Sequence, residues 1–393
     1  MSSHGTSFRT AVAVMAALAV AKLGDELLRL VWRSGPTAAI DLKSRHAEVH
    51  AWFAGVPVYE TMPLAAYPPA TYALLWPMLG WLPLEPARWL WAGAATLAIV
   101  ATVWIVVRAS GASDGWGRAF AALIVLAPNQ TGVAVGNGQL ITLALPAVLA
   151  GILLIHRGQE SWLYDTGAAA GVLIGLVKIT LVVPFLWLVL FTPSRHESTG
   201  AIPFRLRPAA LVAAGYAGLT WFAMTFQPAT WLEQLRGWLA RAEEAAVGGG
   251  NYADVHAWLT AAGLESYIMG ASAALFLALG AWLARHRHAD LWILLGVTAL
   301  VARFWTYHRL YDDVLVVIAM VALLRIARQS AGTTWGRWAG VLLGVTLFTM
   351  LLPARLGTAP FPWRLAFTAS HTLAWLAMLA YLIAAARRPA TDR

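Results

Sequence analysis

Long apolar runs, separated by short polar connections, recur along almost the whole chain and limit what it can fold into. A helix of about 20 apolar residues spans the hydrocarbon core of a bilayer. Only 12% of the 393 residues are charged, against roughly 25% in an ordinary soluble protein. The sequence therefore predicts an all-α polytopic membrane protein of about 12 transmembrane helices, folded as a single domain over residues 1–393. The predicted spans are 8–32, 68–83, 87–107, 118–135, 139–155, 167–191, 209–225, 267–284, 290–303, 313–327, 338–353 and 364–386.

Charge and cysteine content narrow the function further. The net charge of +9 comes from basic residues scattered over short connections rather than gathered in a patch. They therefore indicate membrane topology and no nucleic-acid partner. The sequence has no cysteine, which excludes disulfides and thiolate chemistry. The N-terminal segment, Arg9 followed by the apolar stretch 11–21, is similar to a signal peptide, and we interpret it as the first span.

Arginines indicate which connections face the cytoplasm. In the second half of the chain they fall on alternate connections: Arg195, Arg205 and Arg207; Arg285 and Arg287; Arg325, Arg328 and Arg337; Arg387 and Arg388. The positive-inside rule makes these connections and both termini cytoplasmic. Connections 34–66, 226–266 and 304–312 then lie on the outward face, together with 354–363. In the first half, Arg108, Arg118 and Arg157 fall on the outward side of the same count.

The two long outward connections, 34–66 and 226–266, carry aromatic and charged side chains. The spacing of Trp231, Leu235 and Trp238 predicts a helix that lies in the membrane interface with its apolar face towards lipid. His256 follows in the same connection and is a candidate substrate contact. Interfacial helices are therefore expected on the outward face.

Asp41 is the first acidic residue of connection 34–66. A carboxylate there fits a general base that takes the proton of an incoming hydroxyl. The alternative is a helix N-cap or a solvated charge. Lys43 and Arg45, which follow, are candidate substrate contacts. Tyr67 precedes two prolines that suit the first turn of a helix, and its ring is placed where a sugar would stack.

The segment from Arg303 to Asp313 is the densest polar cluster in the chain. It places Arg303, His308 and Arg309 next to Tyr311 and Asp312. Such a group suits phosphate binding, with the acids orienting the cations. A salt-bridged turn is the alternative. The Asp312-Asp313 pair also suggests a divalent metal, but a third firm ligand is missing, so no metal site is predicted.

Two further polar residues interrupt apolar runs. Lys178 lies in the middle of one, where an ammonium needs an anion or a cavity. A lipid phosphate would serve, and so would the carbonyl groups of a neighbouring helix. Gln139 follows Asn137-Gly138 and offers an amide to a sugar hydroxyl, or a helix cap. Lys22, Asp25, Glu26 and Arg29 are spaced to neutralise one another on one helix.

The order of these features resembles glycosyltransferase family 87 of the GT-C superfamily, whose members use polyprenol-phosphate sugars and include bacterial α-mannosyltransferases. The resemblance rests on an acidic residue early in the first outward connection and on the aromatic stretch 52–59. It also rests on Tyr67-Pro68-Pro69, Gly138-Gln139, Lys178 and a late outward segment that contains a histidine.

The resemblance implies that Asp41 is the catalytic base of an inverting displacement and that Lys178, His308 and Arg309 hold the donor phosphate. It implies a polyprenyl-phosphate-linked donor of mannose or a related hexose or pentose, a glycan or glycolipid acceptor, and neither metal nor cofactor. It also implies a multi-pass protein of the plasma (inner) membrane, surrounded by membrane lipids, with its active site on the periplasmic or extracellular face. The oligomeric state is left open.

Two other functions compete with glycosyl transfer. A transporter or flippase of a lipid-linked or anionic substrate would need charges near the bilayer midplane and internal repeats. Lys178 is the one isolated charge of that kind in the sequence, and the sequence shows no fixed-period repeat. A non-catalytic membrane scaffold would account for the 21 tryptophans but not for the polar clusters.

Overall fold

The computed structural model describes residues 3–157, 161–193, 206–248 and 253–388, and every regular element within these ranges is helical. The all-α prediction is confirmed there, and each of the twelve predicted spans overlaps a helix. Arg195 and Arg205, which were used for the topology, lie outside the described residues. The helices are α1 Ser3–Val31, α2 Ile40–Phe53, α3 Val58–Thr61, α4 Pro69–Leu79, α5 Leu84–Ala109, α6 Gly115–Leu126, α7 Asn129–Asn137, α8 Ile141–Arg157, α9 Trp162–Gly175, α10 Ile179–Val182, α11 Leu186–Phe191, α12 Leu206–Met224, α13 Trp231–Gly248, α14 Val255–Ala261, α15 Ile268–His286, α16 Leu291–Phe304, α17 Val316–Gln329, α18 Thr334–Leu351 and α19 Trp363–Ala386.

Four stretches of the described chain are long and apolar enough to cross a membrane: Leu84–Ala109, Trp162–Phe191, Glu265–His286 and Trp363–Ala386. A fifth arises if α6 and α7, which meet at a 52° bend, count as one span. The predicted number of about 12 transmembrane helices is therefore not confirmed. The helix predicted around Trp231 is α13, and its position in a membrane interface stays a prediction.

The bundle has two distinct ends. Helix α1 runs parallel to the bent pair α6–α7, since Phe8 packs against Phe120 with ring centroids 5.7 Å apart and Arg29, farther along, donates to Asn137 Oδ1 at 2.7 Å. Asn137 lines a cavity of about 490 Å³, and we call its end of the bundle the cavity end. Arg9, which stacks on Trp116 at 5.8 Å, marks the opposite end.

Helix α4 does not cross the bundle, although its sequence was predicted to be the second span. Tyr67, just before α4, lines the cavity. Leu82, just after α4, accepts hydrogen bonds through its carbonyl oxygen from His46 Nε2 at 2.8 Å and His50 Nε2 at 3.2 Å, both on α2. Both ends of α4 therefore lie at the cavity end. Its 11 residues measure about 16 Å, against about 21 Å for the 14 residues of α16, which joins the two ends of the bundle.

Because α4 turns back, the next helices run opposite to the predicted direction. Helix α5 starts at the cavity end, where Arg88 Nε donates to Leu30 O at 2.7 Å. It finishes where Arg108, Arg157 and Arg325 line one cavity at the opposite end. The count that separates Arg108 and Arg157 from Arg325 is thus wrong, because all three line one cavity. The three arginines share one face, as the positive-inside rule requires.

Residues 162–193 also leave and return to the same end. Helices α8 and α9 run antiparallel, and the backbone then breaks at Lys178, whose φ and ψ are −114° and 72°. Gly175 lies against Val182 beyond the break, and Pro193 O contacts His156 Nδ1, at the end of α8, at 3.3 Å. The predicted span 167–191, which length and composition alone count within one membrane-spanning stretch, is thus folded as a hairpin with Lys178 near its tip.

Glycines permit a close contact between helices α8 and α9. A Cβ added to Gly151 would meet Ala168 O at 2.7 Å, and one added to Gly171 would meet Ala147 O at 2.7 Å. Small residues allow such close approach, which supplies the van der Waals packing that holds membrane helices together. The tight α8–α9 pair therefore fixes the base of the hairpin that carries Lys178.

Candidate active site

Six separate parts of the chain line the cavity that defines this end of the bundle. Its volume is about 490 Å³, and it opens between α2, the connection before α4, the α7–α8 junction, the tip of the 162–193 hairpin and the segment 307–312, with part of α13 at its rim. Eight of the predicted site residues line it: Asp41, Arg45, Tyr67, Gln139, Lys178, Arg309, Tyr311 and Asp312.

Lys178 is the cation at the centre of this wall. Its Nζ lies 3.3 Å from Asp312 Oδ1 and donates to Tyr67 Oη at 3.2 Å. It also lies 5.3 Å from the centroid of the Tyr311 ring. The residue is 6% exposed, so the ammonium reaches the cavity from a buried position. The requirement that a buried charge find a partner is met here by a carboxylate.

Asp312 is held by its own turn as well as by Lys178. Its Oδ2 accepts from the Arg309 backbone N–H at 3.1 Å, within the short 3-10 helix Leu310–Leu315. Burial by itself raises the pKa of Asp312, but Lys178 and then His308 oppose this effect and hold the pKa below its usual value. The carboxylate is therefore charged, and it fixes the position of the lysine.

Arg45 forms a second cationic group, one turn along α2 from Asp41. It pairs with Glu48 at 2.6 Å and its guanidinium lies 4.5 Å from the centroid of the Tyr67 ring. Burial raises the pKa of Glu48 to about 7, although Arg45 and the Tyr72 hydroxyl both favour the charged form. Arg45 thus stacks on the aromatic ring that also binds Lys178.

Asp41 is the cavity carboxylate that protein groups leave accessible. It lies in the first turn of α2, where the helix dipole favours a negative charge. The N-cap position belongs to Ala39, and no side chain caps this helix, so the alternative of an N-cap role for Asp41 is wrong. The residue is partly exposed, and no described residue forms a hydrogen bond or ion pair with its carboxylate.

Gly138 lets the α7–α8 junction reach the cavity. It ends α7 with φ 71° and ψ 45°, a left-handed conformation that glycine adopts without strain. A Cβ there would also meet Leu42 Cβ at 2.6 Å. Asn137 and Gln139, on either side, both line the cavity. Because Asn137 Oδ1 accepts from Arg29, its amide nitrogen remains the free donor.

Four predicted contacts do not line the cavity. Lys43 donates to Gly35 O at 2.8 Å. His256 Nε2 lies 2.7 Å from Ser272 Oγ. Arg303 pairs with Asp313 and stacks on Trp375 at 5.2 Å.

His308 is the fourth, with no exposed surface. Its Nε2 donates to Ala302 O at 2.7 Å, and its Nδ1 lies 3.6 Å from Asp312 Oδ2. Burial lowers the pKa of His308 despite this neighbouring carboxylate, which favours the neutral ring. Arg303 lies at the buried end of α16, and His308 lies in the turn after it. Both therefore support the segment 304–312 from the protein interior.

Sequence reasoning did not select Glu48 or Glu244. Glu48 is 2% exposed and neutralises Arg45, whereas Glu244 reaches the rim from α13 and pairs with Arg241 at 2.7 Å. Both lie on helices where a charge every three or four residues is typical of a solvated face. The i, i+3 spacing of Arg45 and Glu48 was the one available signal for their pairing.

An apolar groove adjoins the cavity. Its volume is about 430 Å³, and it runs between the hairpin 176–190 and helices α12 and α15. Ile179 lines both the groove and the cavity, directly beside Lys178. Apart from the Tyr216 hydroxyl and the Trp187 indole N–H, the side chains that line it are entirely apolar: Leu176, Ile179, Val183, Leu186, Trp187, Val189, Leu190, Ala209, Val212, Ala213, Tyr216, Ala217 and Phe276.

Comparison with known proteins identifies a family. The sequence model of glycosyltransferase family 87 matches residues 65–309, which is more than half of the 393-residue chain. The match covers Tyr67, Gln139, Lys178 and Arg309, and it begins after Asp41. No curated protein and no solved structure matches the chain.

Proposed function

Because this chain belongs to glycosyltransferase family 87, we propose that it transfers a sugar from a polyprenyl-phosphate carrier to a glycan or glycolipid. The coarser function, a membrane glycosyltransferase, follows from the family and from the apolar helices. The observation that supports the finer proposal most directly is one cavity that holds an accessible carboxylate, Asp41, and a buried cation, Lys178. The proposed sugar is mannose or a related hexose or pentose.

The polar wall suits a sugar phosphate as donor. Lys178 Nζ carries three hydrogens and donates one of them to Tyr67 Oη at 3.2 Å. Asp312 Oδ1, at 3.3 Å, is its ion-pair partner. Lys178 therefore keeps donor capacity for a phosphate oxygen. Arg309, which is exposed on the same wall, supplies a second cation, and charge-assisted hydrogen bonds of this kind are roughly twice as strong as neutral ones.

The groove beside Lys178 supports a lipid carrier. A polyprenyl chain is too apolar to leave the bilayer, so its phosphate must meet the cation at the junction of an apolar channel and a polar cavity. Ile179 lies at that junction. A soluble nucleotide sugar would leave a groove of about 430 Å³ without an occupant.

The proposed reaction is a single inverting displacement. The acceptor hydroxyl oxygen attacks the anomeric carbon of the donor while Asp41 takes the hydroxyl proton. The bond between that carbon and the phosphate oxygen breaks, and polyprenyl phosphate leaves with the electron pair. Lys178 and Arg309 stabilise the growing negative charge, and such stabilisation acts mainly in the transition state.

We place the cavity on the outward face of the plasma membrane. Arg108, Arg157 and Arg325 lie at the opposite end of the bundle, which the positive-inside rule assigns to the cytoplasm. Helix α4 starts and ends on the same side of the membrane and therefore does not count as a crossing. The number of crossings stays at twelve if the two arms of the hairpin, α9 and α10–α11, each count as one. The donor would then reach the cavity from the outer leaflet.

A transfer assay with a matched pair of variants tests the proposal. Purified protein is incubated with a panel of radiolabelled polyprenyl-phosphate sugars and membrane extract, and label in the acceptor fraction is counted. We expect transfer from at least one donor and a fall of about 10²–10⁴-fold for Asp41→Asn, because the variant keeps the size of the side chain but cannot take the proton.

Asp25→Asn is the control, since Asp25 is 55% exposed, pairs with Arg33 and lines no part of the cavity. The control should keep full activity. In a second assay the protein is reconstituted in sealed vesicles, and label that crosses their membrane on an unchanged carrier would instead indicate a flippase. More than about half of the activity in Asp41→Asn would remove Asp41 as the base.

A further inference from the structure

Two adjoining cavities lie at the end of the bundle opposite the active-site cavity. Their volumes are about 220 Å³ and 420 Å³, and they share His156, Asp290, Leu291 and Arg325 as wall residues. Helix α16 starts at these cavities and ends next to the active-site cavity. Its 14 residues place the two sites about 21 Å apart along the helix axis, so the second site is separate from the first.

Positive charge exceeds negative charge in the smaller cavity. Arg108, Arg157 and Arg325 line it together with one carboxylate, Asp290. That carboxylate is already satisfied, because Oδ1 accepts from Trp292 N at 2.9 Å and Oδ2 pairs with Arg325 at 2.9 Å. Arg325 also donates to Ala109 O at 2.6 Å, so it braces three helices.

Arg108 and Arg157 remain as uncompensated cations. Both are exposed, and neither forms an ion pair with a carboxylate in the part of the chain that the structure describes. Arg108 stacks on Trp104 with its guanidinium carbon 4.6 Å from the ring centroid, and Trp104 is 53% exposed. A tryptophan and an arginine side by side at helix ends are typical of the headgroup level of a membrane.

The larger cavity adds polar groups without added negative charge. Ser330 lines it, and its hydroxyl is buried without a hydrogen-bond partner among the described residues. Arg325 Nε is likewise buried without a hydrogen-bond partner among the described residues. Buried donors without partners are costly, and both would be satisfied by an acceptor-rich ligand.

From these observations we propose that the paired cavities bind a phosphate-bearing anion, with Arg108 and Arg157 as its principal contacts. A single guanidinium group can donate two hydrogen bonds to a phosphate group at once. Basic pockets between helices on the cytoplasmic side recognise phospholipid headgroups, and anionic lipids are concentrated in that leaflet. A soluble phosphate compound would use the same contacts, so the test separates the two sources.

The test counts bound lipid on the purified full-length protein by native mass spectrometry. Phosphatidylglycerol is titrated against phosphatidylcholine, using wild type, the double variant Arg108→Gln/Arg157→Gln and the control Arg285→Gln/Arg337→Gln. The control arginines are exposed and line neither cavity. We expect saturable phosphatidylglycerol binding to wild type and control, and roughly tenfold or greater weakening in the double variant.

A second arm replaces the lipid with inorganic pyrophosphate and follows the melting temperature. Stabilisation by pyrophosphate that depends on Arg108 and Arg157, without lipid discrimination, would assign the site to a soluble phosphate compound. The proposal is overturned if the double variant and the control respond alike to both ligands. The two single variants, Arg108→Gln and Arg157→Gln, decide the matter if the double variant melts early without ligand.

Discussion

Lys178 is the residue whose role depends most on its surroundings. The sequence left two partners open, a lipid phosphate or neighbouring carbonyl groups, and the structure adds a third, Asp312. A buried ion pair is weak evidence for stability as such, but removal of one partner costs about 3–5 kcal/mol because the other charge is stranded. A single substitution therefore mixes folding with catalysis.

The prediction for Lys178 uses a double variant to separate the two effects. Lys178→Met/Asp312→Asn removes both charges, and we expect it to fold while kcat/KM for the donor falls by about 10²–10³-fold. The donor KM should rise and kcat should fall, because leaving-group charge grows in the transition state. Steady-state kinetics in detergent with varied donor provide the measurement.

Lys43→Met is the matched control for this experiment, since Lys43 Nζ binds Gly35 O and does not line the cavity. Its donor kinetics should equal those of wild type. Unchanged kinetics in the double variant would show that the pair only joins helices. Strong impairment in Lys43→Met would instead support the substrate contact that the sequence suggested for Lys43, although this residue does not line the cavity.

At the same scale, some contacts were beyond sequence reasoning for a physical reason. Asp41, Arg45 and Arg309 could be selected because a charge at the edge of an apolar run needs a polar surrounding. His308 precedes Arg309 directly, yet it faces the buried side. Neighbouring residues in an irregular turn point in different directions, and no periodicity indicates which one faces a cavity.

Among the elements, the α8–α9 pair has the clearest consequence. Gly171 allows α9 to lie against the backbone of α8, and α9 leads directly to Lys178. We expect Gly171→Ala to destabilise the protein by about 1–3 kcal/mol through overpacking, because the new Cβ would lie 2.7 Å from Ala147 O. Activity should fall as well, since the tip of the hairpin must shift with α9.

Gly218→Ala on α12 provides the comparison, because a Cβ there meets no atom within 4 Å. That change should be neutral or slightly stabilising, as alanine is the better helix former. Melting temperatures in detergent and transfer rates for both variants are the measurements. Equal melting temperatures would mean that the close approach at Gly171 is not needed for stability.

Hydropathy predicted these elements well and their paths poorly. All twelve apolar runs overlap helices, because the lipid and the core select the same side chains. A helix that returns to its own face buries the same kind of surface as one that crosses. Hydropathy does not separate the two, and the 11 residues of α4 merge in sequence with the apolar turn after it.

For the whole molecule, the prediction concerns which connections share a face. The chain has no native cysteine, so single cysteines can be introduced at the exposed positions Ala47, Ser113 and Ala331. We expect a membrane-impermeant maleimide to label Ala47→Cys from outside intact cells, and Ser113→Cys and Ala331→Cys only after the membrane is opened. The hydropathy count places position 113 with position 47 instead, so joint labelling of these two would contradict the direction in which α5 crosses the bundle.

The hairpin at Lys178 has a consequence for the orientation of everything that follows it. Counting α4 as a crossing inverts all later segments, and counting residues 162–193 as one crossing inverts them again. The two errors cancel, so every segment after the hairpin is assigned to the same end of the bundle by either count. Only the part of the chain between α4 and the hairpin, which carries Arg108, Arg118 and Arg157, is assigned to the wrong end. Reporter fusions at the two termini would therefore agree with either path, and only markers between residues 84 and 157 can tell them apart.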